Sequence, residues 1–236
     1  MSDREDTKKR NLTLLTRIVH EYIVSGHPIG SLFLAEKYNL PISSATIRNA
    51  MVLLEEEGYM YQPHPSAGRV PTEQGYRVYI ETMKPIKMTK ASHDALEQVW
   101  LEDERHDEQH IKKLAKGLAA LCGDVVFAAL EGSPVMVAGL SNLCERPEFE
   151  DRIMATQLSN VIDSLDDTVD KLFDEISDEP QVLIGSDGFA DVCSVIVVKF
   201  HGATREGILG ILGPLRMNYA RNVSLLKMTK DIIEDT

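Results

Sequence analysis

Arg48 and Asn49 stand side by side, and they are the two side-chain types that pair bidentately with guanine and adenine edges in the major groove. They fall within Ser43–Thr72, SSATIRNAMVLLEEEGYMYQPHPSAGRVPT. Ser43 fits a helix N-cap, so Ser44, Ala45, Thr46, Arg48 and Asn49 occupy the first turns of the helix that follows. In helix-turn-helix proteins those turns meet base edges, and the helix N-terminus favours a phosphate. Arg69, beside Gly68, can enter a minor groove or hold a phosphate. His64 and Ser66 suit contacts to the DNA backbone. Helices of this kind also mediate protein contacts, so residue types alone leave that alternative open.

These residues need elements to hold them. Leu14, Leu15, Ile18, Val19, Tyr22 and Ile23 recur at helical spacing and predict a first helix from Asn11 to about Ser25, stopped by Gly26 and Pro28. Ser31 is a candidate cap for a short second helix, Leu32–Tyr38. Pro41 ends the turn after it. Ile47, Met51 and Leu54 give the third helix, Ser44–Glu57, a buried stripe, and Gly58 ends it. Tyr59–Gln62 and Arg69–Pro71 read as two strands of a hairpin with a Pro/Gly-rich tip. Thr72 then caps a fourth helix reaching Met83. Helix, turn, helix, hairpin and helix make a winged helix-turn-helix.

The remainder changes character. An acidic helix over Ala91–Leu121 follows a boundary near Met83–Thr89, and Gly117 weakens it. Asp124–Leu130 and Val135–Leu140 are strands around a Glu131–Pro134 turn. Glu148–Ile176 is amphipathic, Gln181–Gly185, Cys193–Phe200 and Gly207–Leu212 read as strands, and Pro214 is read as opening a last helix to Ile233. The mixture predicts an α+β class, with domains at 1–84 (winged helix), 85–122 (helical connector) and 123–236 (sensor-like).

The 236 residues are 43% hydrophobic and 26% charged, which suits soluble globular domains. No apolar run is long enough to span a membrane, and the charged N-terminus carries no secretory h-region, so the expectation is a cytoplasmic protein without membrane partners. Three scattered cysteines fit no disulfide framework. The formal charge of −12 at first opposes a nucleic-acid partner. However, residues 1–80 hold nine Lys+Arg and nine Asp+Glu, so the acid lies wholly beyond them. Either it keeps the second part off DNA or it is simply a solvated surface.

Other constellations carry less. His106 and His110, four apart, could share a helix face as metal ligands do, but Asp107 follows where the metalloprotease pattern needs glutamate, and there is no third ligand. Gly207, Gly210 and Gly213 do not form a dinucleotide loop and instead suggest close packing of a strand against the final helix. Ser186 lacks the flanking pattern of a nucleophile elbow. The cysteines suit buried core, and Arg216 and Tyr219 suit bracing of the last helix. No catalytic residue, metal site or cofactor is expected, and no paired acid and base supports an enzyme.

Residues 12–83, through Tyr22–Ser43 and SSATIRNAMVLLEEEGYMYQPHPSAGRVPTEQGYRVYI, resemble the winged-helix segment of the heat-inducible transcription repressor HrcA family. Gly139–Phe149, GLSNLCERPEF, and Gly207–Ala220, GILGILGPLRMNYA, resemble later segments of the same family. Ala50 stands where the family usually has an acidic residue, and Pro65 where it has threonine. The stretch between the Asp124 strand and Gly139 is nearly empty where typical members carry an inserted dimerisation domain. The resemblance implies a homodimeric repressor, an inverted-repeat operator upstream of chaperone operons, a GAF-like second domain and modulation by the chaperonin GroEL. DNA binding would then rest on Ser43, Ser44, Thr46, Arg48, Asn49, His64, Ser66 and Arg69. The alternative is a winged-helix regulator of other genes that answers to a small ligand held by the GAF-like domain.

Overall fold

A computed structural model describes residues 2–102, 108–187, 193–202 and 205–235. The chain divides into two compact units, Met1–Met83 and Lys84–Thr236.

The first unit runs α1 (Ser2–Ser25), α2 (Ser31–Lys37), α3 (Ser44–Glu56), β1 (Met60–Tyr61), β2 (Val70–Pro71) and α4 (Glu73–Thr82). Leu15, Ile18 and Val19 of α1, Leu34 of α2, and Ile47, Met51 and Leu54 of α3 form its core, none more than 3% exposed. Each such burial is worth about 1.5–3 kcal/mol. β1 and β2 pair antiparallel, Met60 opposite Pro71 and Tyr61 opposite Val70. A third segment joins them: Ile29 and Arg69 exchange two backbone hydrogen bonds, each 2.9 Å. That approach requires a glycine at 68, because a Cβ there would lie 2.4 Å from the Ile29 backbone. Thr72 caps α4 by accepting from Gly75 N at 3.3 Å and donates to Gly58 O at 2.6 Å. Two boundaries differ from the sequence reading. α1 starts nine residues before Asn11. Ser31 is the first residue of α2 and buried; the N-cap is Gly30, with no side-chain cap.

The second unit runs α5 (Lys90–Leu101), α6 (Glu108–Cys122), β3 (Val125–Leu130), β4 (Met136–Ala138), α7 (Leu140–Cys144), α8 (Arg152–Asp163), α9 (Leu165–Leu172), β5 (Gln181–Ile184), β6 (Cys193–His201), β7 (Glu206–Pro214) and α10 (Tyr219–Glu234). The sheet order is β4-β3-β7-β6-β5, antiparallel throughout. Helices with an antiparallel sheet make the chain α+β. Every residue of β3 is buried, so both sheet faces are covered. Val125, Phe127 and Ala129 join a core with Leu143, Leu158, Val161, Leu165 and Val169 of α7–α9. The alternate residues are left to α6 and α10, which lie against β3 and β6.

Three expectations are corrected here. The acidic helix predicted over Ala91–Leu121 is described as two helices, α5 and α6, which pack on each other. Gly117 is the close point between them: a Cβ there would lie 3.2 Å from Leu96 Cδ2. Pro214 opens no helix; it is the last residue of β7, and α10 begins at Tyr219, capped by Asn218. Gly207 and Gly210 do not serve the final helix. They face Phe200 and Phe127 across the ladders, and a Cβ would meet those rings at 2.3 and 2.1 Å.

Candidate nucleic-acid interface

Ser43 has extended backbone (φ −68°, ψ 154°) and accepts a hydrogen bond from Thr46 N at 3.1 Å. Its hydroxyl also lies 3.0 Å from Thr46 Oγ1. The two side chains thus close the N-terminus of α3 between them. Below the cap, Ile47, Ala50, Met51 and Leu54 are buried. Ala45, Arg48, Asn49, Val52, Leu53 and Glu56 form the exposed face, with Ser44 at its half-buried edge. Arg48 has no carboxylate partner among the described residues, so its fork is available to an incoming acceptor.

The hairpin is fastened to the C-terminal half of α3 through one side chain, Glu55. Its Oε1 accepts from Gln62 N at 3.0 Å, and its Oε2 lies 2.8 Å from Arg69 Nη2. Gln62 Nε2 in turn donates to Pro65 O at 3.0 Å and Ala67 O at 2.8 Å, holding the tip. At the tip His64 Nδ1 lies 3.2 Å from Ser66 Oγ, and both residues are exposed. Arg69 is placed differently from a free wing cation: its side chain is 11% exposed and its charge is matched by Glu55.

Arg48, Ser66 and Arg69 line one cleft of about 490 Å³, with Leu32 and Val52 on its walls. Thr46 lines a different cleft, beside α1. Leu32 is 60% exposed and Val52 39% exposed. Exposed apolar side chains beside an exposed arginine suit thymine methyl groups. Sequence reading missed Glu55, Gln62, Leu32 and Val52. Val52 carried a usable signal, since it lies one helical turn after Arg48, at the margin of the buried stripe.

Elsewhere in the first unit Glu21 is buried and accepts from Lys37 Nζ at 2.6 Å and Tyr38 OH at 2.7 Å. Burial works to raise its pKa, but these bonds outweigh it and leave the carboxyl below its ordinary value. Burial and the Glu21 carboxylate push the Tyr38 phenol up to about 12.

The other candidate groups are structural. His106 lies outside the described residues. His110 is buried, its Nε2 is 2.6 Å from Val99 O, and its ring stacks on Trp100 at 4.9 Å. Burial raises the Cys122 and Cys193 thiols to about 12 and about 11, which disfavours the reactive thiolate, whereas Cys144 is exposed and departs from the buried-core expectation. Gly185–Asp187 form a short 3₁₀ turn; Gly188 is outside the described residues. Tyr219 OH donates to Leu215 O at 2.6 Å and meets Ser194 Oγ at 2.7 Å, and Arg216 bonds Glu148. Asp124, 1% exposed, pairs with Arg146 and accepts from Asn222 Nδ2 at 2.8 Å. Residues of 139–149 and the start of α10 therefore meet at the foot of β3.

Residues 78–223 match the model of the HrcA protein C-terminal domain. The chain belongs to the HrcA family. Relatives described as heat-inducible transcription repressor HrcA include one from Thermobifida fusca (strain YX), 34% identical over 211 residues, 89% of this chain and 56% of the relative. Another, from Pelotomaculum thermopropionicum, is 30% identical over 229 residues, 96% of this chain and 63% of the relative. The chain thus spans a little over half the length of these HrcA relatives. A crystal structure described as a hypothetical protein superposes with a TM-score of 0.75 at 20% identity, covering 96% of this chain and 97% of that one, and so shares the fold.

Proposed function

We propose that this HrcA-family chain is a DNA-binding transcriptional repressor of heat-shock (chaperone) operons. It binds an inverted-repeat operator as a homodimer, and the chaperonin GroEL modulates it. Residues 1–84 serve as the winged-helix reading head, and 123–236 as a GAF-like sensor and dimerisation domain reached through 85–122. Seated over a promoter, the dimer blocks polymerase; separated, each protomer loses the effective concentration the second half-site supplied. The observation that carries this reading is the exposed face of α3. Arg48 and Asn49 stand on it beside Val52, above a buried stripe, with the hairpin tip fixed next to them through Glu55 and Gln62.

On this reading Arg48 and Asn49 read bases, Ser44 lies at the entry of the helix, and Ser43 and Thr46 hold its first turn. His64 and Ser66 meet the backbone from the tip. Arg69 sets the hairpin's position, with its charge shared with Glu55. Selection of bound duplexes from a random pool tests the reading. A recovered inverted repeat is the expected result; a pool with no enriched sequence rejects it.

A second reading, a ligand-responsive regulator of other genes, is favoured by a cleft of about 650 Å³ in the second unit. Ile86, Met88, Trp100, Met228 and Ile232 line it, with Glu97 and Asp231 among the polar groups. Its size and lining suit a small molecule. Trp100 is the only tryptophan, so a metabolite that changes its emission and shifts operator affinity, with no chaperonin effect, would establish this reading over the first.

A further inference from the structure

Four of the nine Lys and Arg side chains of the first unit already have partners. Lys37 pairs with Glu21 at 2.6 Å, Arg69 with Glu55 at 2.8 Å and Arg77 with Glu73 at 2.6 Å. The Arg17 guanidinium lies 4.7 Å over the Tyr38 ring. Besides Arg48, three cations are exposed with no carboxylate partner among the described residues, and they are consecutive on α1: Lys8, Lys9 and Arg10. Their place matters as much as their charge. Arg10 and Arg17, seven residues apart and so on one face of α1, line a cleft of about 250 Å³. The same cleft is lined by Leu40, Pro41 and Ile42 of the turn before α3 and by Thr46 in its first turn. Arg10 therefore stands beside the end of α3 that enters a groove, and Lys8 and Lys9 line the adjoining cleft, which shares Thr13 and Arg17 with the first.

We propose that the Lys8–Arg10 turn of α1 is a second phosphate-binding element. A duplex whose major groove receives the first turns of α3 runs one backbone strand past this turn, and the three cations bind its phosphates. The unit as a whole holds nine Lys+Arg against ten Asp+Glu, so affinity for a polyanion must come from such local unmatched cations and the counterions they displace. This inference rests on the DNA-binding reading and adds a contact outside the helix and hairpin.

The test compares the full chain with its Lys8→Gln/Lys9→Gln/Arg10→Gln variant. Binding to a mixed-sequence duplex of about 30 base pairs is followed by fluorescence anisotropy between about 50 and 300 mM salt. The slope of log affinity against log salt should become shallower by about 2–3, since each phosphate contact contributes about 0.9. Base preference and thermal midpoint should be unchanged, because all three side chains are exposed. Arg10→Lys alone should keep the parent slope. A triple variant with the parent's slope overturns the role of α1 while leaving DNA binding standing. A parent chain with no salt-dependent duplex binding overturns both.

Discussion

Glu55 and Arg69 close a 2.8 Å ion pair between the last turns of α3 and the returning side of the hairpin. With Arg69 11% exposed and Glu55 33% exposed, the pair is sheltered enough to hold geometry but not so deep that desolvation cancels it. The pair therefore fastens the hairpin to α3. Arg69→Met should lower stability to urea by about 1–3 kcal/mol, the cost of removing a charged hydrogen-bond partner. It should weaken DNA binding through a displaced tip, with the salt slope kept. A slope shallower by about 0.9 would mean that Arg69 meets a phosphate directly.

Arg48 has a different signature. It is exposed, with no carboxylate partner among the described residues, so Arg48→Ala should leave the thermal midpoint unchanged. On a selected operator it should cost about 1–3 kcal/mol and relax preference at one base pair. Binding of both parent and variant to a panel of single-base-pair operator changes reads this out. An equal loss at every position would assign Arg48 to the backbone.

The Glu21, Lys37 and Tyr38 cluster sets two pH limits on the first unit. The Glu21 carboxyl is held below its ordinary value of 4.5, so its contribution is present above that value and is lost as pH falls through the lower folded pKa. The Tyr38 phenol is raised from 10.0 to about 12, so its contribution is present below pH 10 and is lost as pH rises towards 12. In urea titrations Glu21→Gln should cost stability at neutral pH, and the gap to the parent should close below about pH 4.5. Tyr38→Phe should show its gap closing at the alkaline end instead. A Glu21→Gln gap that stays constant into acid would remove the linkage.

The core of the first unit was legible because Ile47, Met51 and Leu54, like Leu15, Ile18 and Val19, announce a buried stripe by spacing alone. The first turns of α1 were not, since Asp3 to Arg10 contain no apolar residue and only the absence of breakers favours a helix there. Ser31 looked like a cap, but the preceding Gly30 takes that position and Ser31 is buried against the domain. The glycines of β7 were seen as close-packing residues with the wrong partner. Which ring fills the missing side chain is set by sheet register, and Phe127 and Phe200 lie far away in sequence. The same limit applied to Arg69. Its type fits a phosphate ligand, and only the tertiary structure reveals the carboxylate fourteen residues earlier.

Asp124 gives the sharpest test of the second unit. It lies at the foot of β3, 1% exposed, and accepts from Arg146 and from Asn222 of α10. Its backbone carbonyl accepts from Asn142 Nδ2 at 3.0 Å, and a Cβ at Gly213 would lie 2.9 Å from its Oδ1. One carboxyl thus ties the segment 139–149 to the end of β7 and the start of α10. Burial raises its pKa from 3.8, and the Arg146 charge and the Asn222 hydrogen bond offset this only in part. The fold therefore holds a proton there more tightly than the unfolded chain does, so the proton-linked part of its stability is fully present below pH 3.8 and declines as pH rises through the folded pKa, while the bonds from Arg146 and Asn222 remain at neutral pH. Asp124→Ala should cost about 3–5 kcal/mol at neutral pH, because Arg146 and Asn222 lose their shared acceptor. Asp124→Asn keeps the shape and one acceptor oxygen and avoids burying a charge, so it should cost clearly less. Urea unfolding of the two variants at pH 7 decides the matter. Equal losses would mean that the Arg146 pair, not the hydrogen-bonded shape, holds this corner together.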